Sequence, residues 1–216
     1  MNIQVAGEKL ELHPYKSVYW SRRRALWIAD LHLGKASHFN RAGIAIPEAV
    51  TDANWERLYE LLDRYHPRDV LFLGDLFHSQ YNIEWDILGR FLRTFPDTRF
   101  HLIMGNHDIL EDRHYQELGL LLHEPYLEWS PFLFSHHPLE EVPEDWYLVC
   151  GHIHPAVRLR GQAYQGLRVP CFYFGARQAI LPAFGAFTGT GIIRPHRGDR
   201  IFMVAEDEII PAEAAE

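Results

Sequence analysis

The sequence is poor in cysteine and contains no long apolar run. Its two cysteines, Cys150 and Cys171, lie in apolar stretches without a C-x-x-C spacing, so we expect buried reduced thiols rather than a disulfide or a thiolate zinc site. No stretch reaches the roughly 18 apolar residues that a membrane helix needs. The N-terminus also lacks the basic and apolar regions of a secretion signal. These absences predict a cytoplasmic protein.

The chain also lacks the excess of positive charge that is typical of proteins that bind DNA over a broad surface. Lys and Arg total 21 against 29 Asp and Glu, which gives a net charge of −8. The charge is unevenly distributed, because Asp199 is the only acidic residue between positions 158 and 200. The same segment contains Arg158, Arg160, Arg168, Arg177, Arg194, Arg197 and Arg200. These arginines indicate either a basic face near a phosphate site or a solvated strand surface, since alternate strand residues point to opposite faces.

The length and composition predict a single α/β domain. The chain has 216 residues, of which 47% are hydrophobic, enough for one sizeable core. We predict that the domain spans residues 1–210 and that residues 211–216 form a frayed tail. No internal repeat, low-complexity tract or linker interrupts the chain.

The pattern of apolar residues predicts two packed sheets with helices outside. Alternation over residues 3–20 predicts two or three strands, and helical spacing predicts helices over residues 47–65, 82–94 and 113–118. Strands and helices alternate in the first half, which favours a parallel sheet built by crossovers. The second half is nearly all strand and turn, with strands predicted over residues 126–129, 131–135, 146–150, 156–160, 167–174, 191–193 and 200–205. The result is an α/β fold of mixed and antiparallel sheets.

Five short apolar runs each end in polar residues of the types that bind metals. These residues are Asp30 and His32; Asp75; Asn106, His107 and Asp108; His136 and His137; and His152 and His154. Ligands of open α/β sheets bind at the carboxyl ends of the strands, so we expect the five groups to converge. The donors are oxygen and nitrogen without thiolate, which favours Mn²⁺, Fe²⁺, Zn²⁺ or Co²⁺. About seven ligands exceed what one tetrahedral ion takes, and two ions sharing Asp75 would use them all.

In their order and combination, the five motifs resemble the calcineurin-like metallophosphoesterase family over nearly the whole chain, from Asp30 to His154. The resemblance implies a metal-dependent phosphoesterase with a four-layer αββα sandwich of two mixed sheets flanked by helices. It also implies a role for each residue. Asp30, His32 and His154 would hold the first ion, Asn106, His136 and His152 the second, and Asp75 both. His107 would be the proton donor and Asp108 would orient its imidazole. The sequence does not decide between His136 and His137, although the family pattern favours His136.

Two loops are similar to a narrower branch, the bacterial DNA-ligase-associated metallophosphoesterases. The loops are residues 30–47, beginning Asp-Leu-His-Leu-Gly-Lys, and residues 181–189. This resemblance implies Mn²⁺-dependent hydrolysis of phosphodiesters in the bacterial cytoplasm. It implies that the substrate is DNA that is being repaired. It also implies an association with a DNA ligase, a helicase and a nuclease of metallo-β-lactamase fold.

Several residues in or near the motif loops are candidates for substrate binding. Arg41 and Arg177 could clamp a phosphate, but a loop-anchoring salt bridge is the alternative for each. His78 and His38 follow ligand segments and could contact substrate, or could have surface or packing roles. Gly185, Gly189 and Gly191 do not form a P-loop, because no Gly-Lys-Ser/Thr follows them; they permit close backbone approach.

Three functions are compatible with the sequence. The first is a two-metal phosphodiesterase acting as a nuclease. The second is a phosphomonoesterase acting on nucleotides, phosphoproteins or small phosphates, since the same metal site can serve both reactions. The third is a non-catalytic scaffold with the same fold. A scaffold should have lost ligands, whereas this chain keeps the full set together with His107.

Overall fold

The computed structural model describes residues 1–33, 48–77, 83–160, 166–186 and 188–212 of the chain. In these ranges we number sixteen strands and three helices in chain order. The strands are β1 (Asn2–Val5), β2 (Glu8–His13), β3 (Ser17–Trp20), β4 (Ala25–Ile28), β5 (Asp69–Leu73), β6 (Arg99–Ile103), β7 (Leu120–His123), β8 (Tyr126–Trp129), β9 (Phe132–Ser135), β10 (Tyr147–Cys150), β11 (Pro155–Arg160), β12 (Gly166–Phe174), β13 (Gln178–Ile180), β14 (Gly191–Ile192), β15 (Arg200–Ala205) and β16 (Glu208–Ala212). The helices are α1 (Glu48–Tyr65), α2 (Ile83–Arg93) and α3 (Asp112–Glu117).

The first sheet has seven strands in the order of the chain, β1 to β7. Strands β1 to β4 pair antiparallel, and β4 to β7 pair parallel. Helices α1, α2 and α3 make the connections between successive parallel strands. The predicted alternation of strand and helix in the first half of the chain is therefore confirmed. Because β4, β5 and β6 run in the same direction, the segments that follow them leave from one edge of the sheet.

The second sheet has nine strands and is mixed. Its main path is β14-β11-β12-β13-β10-β9-β8, with β15 paired to β12 and β16 paired to β15. Strands β9, β10 and β13 are parallel neighbours, whereas β11, β12, β15 and β16 pair antiparallel. The prediction of two packed mixed sheets is confirmed.

The C-terminal boundary differs from the one we predicted. Pro211 pairs with Phe202 and Ala212 with Ile201, so the first two residues of the expected tail belong to β16. An edge strand tolerates proline because the missing N–H would face away from the ladder. Residues 213–216 of that tail lie outside the described ranges.

Aromatic side chains hold the two sheets together. Trp27 of β4 contacts Phe132 and Phe134 of β9 edge to face, at ring-centroid distances of 5.0 and 4.9 Å. Trp20 of β3 meets Phe132 in the same way at 5.0 Å. These rings are fully buried, and such pairs are stabilising beyond the area they bury. The packing brings the carboxyl ends of β4, β5 and β6 close to those of β9 and β10.

The helices cover the outer face of the first sheet. Leu58 and Leu61 of α1, Trp85 and Leu88 of α2 and Tyr115 of α3 pack there. Helices outside the sheets are confirmed. In the described ranges, Leu139, Val142 and Trp146 pack on the outer face of the second sheet from a segment that forms no helix. Pro138 and Pro143 disfavour a helix in this segment. Within the described ranges, none of the helices has the length and apolar character to cross a membrane.

Candidate metal centre

The loops that follow five strands meet at one place. The loops after β4, β5 and β6 carry Asp30, Asp75 and Asn106, and those after β9 and β10 carry His136 and His152. His136 connects the two sheets, since its Nδ1 is 3.9 Å from Oδ1 of Asp30 and its Nε2 is 3.4 Å from Oδ1 of Asp75. The structure thus brings the carboxylates of one sheet to the imidazoles of the other.

The first cluster of donors consists of Asp30, His32 and His154. One ligand atom from each lies within 4.8 Å of the others. Nε2 of His154 is 3.3 Å from Oδ1 of Asp30, and the rings of His32 and His154 have centroids 5.4 Å apart. Nδ1 of His154 donates to the carbonyl of Gly189 at 3.0 Å, which leaves Nε2 with the lone pair that faces the cluster.

The second cluster is centred on His136. Nδ1 of this side chain donates to the carbonyl of Leu73 at 2.9 Å, so Nε2 is again the nitrogen presented to the site. Nε2 is 3.1 Å from Oδ1 of Asn106 and 3.2 Å from Nδ1 of His152. Asp30, Asp75 and His136 also have ligand atoms within 4.8 Å of one another, so the two clusters are contiguous.

His137 lies beside the same cluster but is held differently from His136. Its ring centroid is 4.5 Å from that of His136 and 4.2 Å from that of His152, and it belongs to a group that could hold an ion. His136 is buried and fixed by a backbone carbonyl, whereas His137 is exposed. The fixed imidazole is the better ligand, and the exposed one is accessible to a substrate.

The two carboxylates of the site are buried, Asp30 with 1% and Asp75 with 2% of its surface exposed. In the described ranges, the groups within ion-pair distance of these carboxylates are all histidines. Burial and the neighbouring His136 lower the pKa of His152, which favours the neutral imidazole that metals bind. Two buried carboxylates in one site concentrate negative charge that divalent cations would offset. The donor set therefore fits a metal centre.

The backbone is strained at five of the candidate ligand residues. Five candidate ligands have positive φ, in the left-handed region that residues other than glycine seldom adopt. They are Asp30 (52°), His32 (48°), Asp75 (50°), His152 (65°) and His154 (50°). Such strain costs on the order of 1–3 kcal/mol per residue and concentrates at functional sites. The surrounding fold holds these residues in geometries that local preference alone would not select.

Two glycines admit the ligand side chains. A Cβ on Gly74, whose φ is +76°, would lie 2.2 Å from Nδ1 of His136. A Cβ on Gly151 would lie 2.5 Å from Oδ2 of Asp30. Any side chain at these positions would displace a donor, so the glycines are part of the site's construction.

His107 and Asp108 occupy different environments. The backbone N–H of His107 donates to Oδ1 of Asp75 at 2.9 Å, and its ring centroid is 5.6 Å from that of His32. The half-buried imidazole therefore lies at the edge of the first cluster. This position is compatible with a proton donor that a substrate can reach.

The carboxylate of Asp108 accepts three backbone hydrogen bonds, from Leu76 at 3.0 Å, Phe77 at 3.3 Å and Gly105 at 3.0 Å. It therefore ties the loop after β5 to the loop after β6. Burial raises its pKa to about 6. We expected this residue to orient His107. That role stays a prediction, and the contacts show in addition that Asp108 supplies the acceptors that these buried amides need.

The remaining sequence candidates separate into two groups. Arg41, His78 and His38 lie outside the described ranges. Arg177 donates to the carbonyls of Val142 and Pro143 and so anchors the loop that covers the second sheet. This contact matches the loop-anchoring alternative, with carbonyls in place of a salt bridge, and phosphate binding by Arg177 stays a prediction.

The second branch-like loop supports the first ligand loop. Phe184 donates its N–H to the carbonyl of Ala29 at 2.9 Å, and Gly185 donates to the carbonyl of Asp30 at 3.2 Å. Sequence reasoning did not find these contacts, nor the carbonyls of Leu73 and Gly189 that orient the imidazoles. Every residue carries a backbone carbonyl, so no residue type indicates where one accepts a hydrogen bond. The glycines of residues 181–189 were the only sequence feature that suggested a close approach by this segment.

Comparisons with known proteins agree with this geometry. The family described as calcineurin-like phosphoesterase matches residues 23–175, a span that contains all five ligand loops. Among solved structures, the nuclease MPE of Pseudomonas putida is 29% identical, with a TM-score of 0.84 over 98% of this chain and 99% of that one. Yfce, a phosphoesterase from E. coli, is 14% identical, with a TM-score of 0.47 over 88% of this chain and 98% of that one. A comparison with curated proteins finds no match.

Proposed function

The chain belongs to the calcineurin-like phosphoesterase family and is a metal-dependent phosphoesterase, and from this premise we propose that it hydrolyses phosphodiester bonds of nucleic acid at a centre of two divalent ions. One observation carries the dinuclear part of the proposal. Oδ2 of Asp75 is 3.7 Å from Nε2 of His32, and Oδ1 is 3.4 Å from Nε2 of His136. The two oxygens of one carboxylate thus face the two clusters, and this arrangement would suit a residue that holds both ions.

We assign the ligands accordingly. Asp30, His32 and His154 would hold one ion, Asn106, His136 and His152 the other, and Asp75 would bridge them. The oxygen and nitrogen donors suit Mn²⁺ first, with Fe²⁺, Zn²⁺ and Co²⁺ as alternatives. When bound, two such ions supply a nucleophile from water near neutral pH and offset the negative charge of the phosphoryl oxygens.

The protein's own groups supply the remaining steps. His107 would protonate the oxygen of the departing alcohol, a contribution typically worth about 10²–10⁴-fold in rate. Asp108 would keep His107 in place indirectly, because it fixes the loop from Gly105 onwards to the loop after Asp75. Asn106 is exposed and His136 is buried, so a substrate would approach the second cluster from the side of Asn106.

A phosphodiester is favoured over a monoester by two observations. The nuclease from P. putida resembles this chain over nearly its whole length, and phosphodiesters are the bonds that nucleases cleave. An open groove of about 470 Å³ also runs beside the second cluster, lined by Asn106, His136 and His137, and such a groove can accommodate a substituent on the far side of the phosphorus. We extend the proposal to a role in DNA repair, together with a ligase and a helicase. The two branch-like loops of the sequence, residues 30–47 and 181–189, support this extension.

A comparison of two chromogenic substrates tests the proposal. With Mn²⁺ in excess, the protein should hydrolyse bis(p-nitrophenyl) phosphate with a higher kcat/KM than p-nitrophenyl phosphate, and it should cleave a DNA oligonucleotide. EDTA should abolish all of these activities. A clear preference for the monoester would replace the proposal with a phosphomonoesterase, and hydrolysis of neither substrate under any of the four metals would favour a scaffold.

A further inference from the structure

Two arginines lie directly opposite each other on neighbouring strands beside the metal centre. Arg158 of β11 pairs with Arg168 of β12 in the antiparallel register. Strand β11 begins at Pro155, immediately after the candidate ligand His154. At ~3.3 Å per residue, Arg158 lies ~13 Å along the strand from that ligand. The pair is therefore close to the site but too far away to bind its ions.

The alternation of side chains along a strand indicates on which face of the second sheet the two arginines lie. Arg168 is four residues before Phe172, which packs in the core between the two sheets. Alternate residues of a strand share a face, and residues paired across a ladder point the same way. Both arginines therefore face the side on which the first sheet lies. That sheet supplies Asp30, His32 and Asp75, so the arginines and the metal centre share one side of the second sheet.

Among the described residues, the pair has no acidic partner within ion-pair distance. Both arginines are exposed, and neither makes an ion pair with a described residue. The guanidinium of Arg158 lies over Gly166, where a Cβ would come within 2.7 Å of its Nε. Like charges directly opposite each other destabilise a ladder. An anion bound between them would remove that repulsion.

Two grooves near the arginine pair carry exposed carboxylates. The groove beside the second cluster is also lined by the exposed Asp112 and Glu124. Arg168 also lines the neighbouring groove, together with Glu206, Asp207 and Glu208 at the turn between β15 and β16. These carboxylates repel phosphates, so a phosphate backbone is favoured on the side of Arg168 that faces Arg158 and disfavoured at the acidic turn.

We propose that a nucleic-acid strand leaves the metal centre over the hairpin of β11 and β12, with its backbone phosphates on Arg158 and Arg168. The inference rests on the proposed function. Guanidinium groups suit this contact because their planar donors bind phosphate oxygens in pairs.

The test compares a double variant with a matched control. Arg158→Gln with Arg168→Gln removes the pair. Arg68→Gln with Arg93→Gln removes the same charge from exposed positions that precede β5 and end α2, at the opposite edge of the first sheet. Activity of each full-length protein is measured with Mn²⁺ on a 20-nucleotide DNA and on bis(p-nitrophenyl) phosphate, which reports the metal centre alone.

We expect the kcat/KM of the double variant on the oligonucleotide to fall about tenfold at low salt. The slope of log kcat/KM against log salt concentration should become shallower by about 0.7 for each arginine removed. Its activity on the small diester should match the unmodified protein, and the control should change neither activity. An equal loss on both substrates, an equal loss in the control, or an unchanged oligonucleotide activity would overturn the inference while leaving the phosphodiesterase in place. Absence of diester hydrolysis in the unmodified protein would remove both proposals.

Discussion

Replacement of His107 by alanine should leave the bound metal unchanged and lower kcat by about 10²–10⁴-fold. The expected retention of metal follows from the contact that this residue makes with the site. It binds Asp75 through its backbone N–H, which alanine keeps, and its ring lies at the edge of the first cluster. Metal analysis of the purified variant, together with its kcat on a DNA oligonucleotide, whose departing alkoxide needs a proton, measures both quantities.

The control for this prediction is Asp75, whose two oxygens face both clusters. Asp75→Ala should lose both ions and all activity, and the nearly isosteric Asp75→Asn should lose most of each. Thermal unfolding of the variants establishes that they are folded before their metal content is compared. Loss of metal in His107→Ala, or two ions retained in Asp75→Ala, would show that the two roles are misassigned.

Substitution of Gly74 by alanine is the second change with a large expected effect. The new Cβ would lie 2.2 Å from Nδ1 of His136, so the ring must leave the carbonyl of Leu73 that orients it. We expect loss of the ion held by His136, a fall in activity of at least tenfold, and a loss of stability of about 2–4 kcal/mol from backbone strain and overpacking together.

Gly7 is a matched control for this substitution. Its φ is +78°, close to the +76° of Gly74, but a Cβ there would meet nothing within 4 Å. Gly7→Ala should therefore cost only the backbone strain, about 1–2 kcal/mol, with metal content and activity unchanged. If the two variants lose similar stability and both keep full activity, the close approach of Gly74 to His136 has no functional importance.

The convergence of the site could be predicted from the sequence because its signals are local. Each ligand group directly follows a short apolar run, as Asp75 follows Val70–Leu73, and the carboxyl ends of parallel strands meet at one edge. The same reasoning gave the parallel half of the first sheet, since strand and helix periodicities can be read from a few consecutive residues.

Contacts between distant segments could not be predicted in this way. The three amides bound by Asp108 come from two loops, and the carbonyls bound by Arg177 come from a segment more than 30 residues earlier. Neither type of partner has a sequence signature, because every residue except proline carries the same backbone groups.

The central claim is that Asp75 joins two ions, and crystals grown with Mn²⁺ test it most directly. Anomalous scattering should show two manganese peaks, one among Asp30, His32 and His154 and the other among Asn106, His136 and His152, with a carboxylate oxygen of Asp75 bound to each. A single peak, or two peaks that are not bridged by Asp75, would contradict the account.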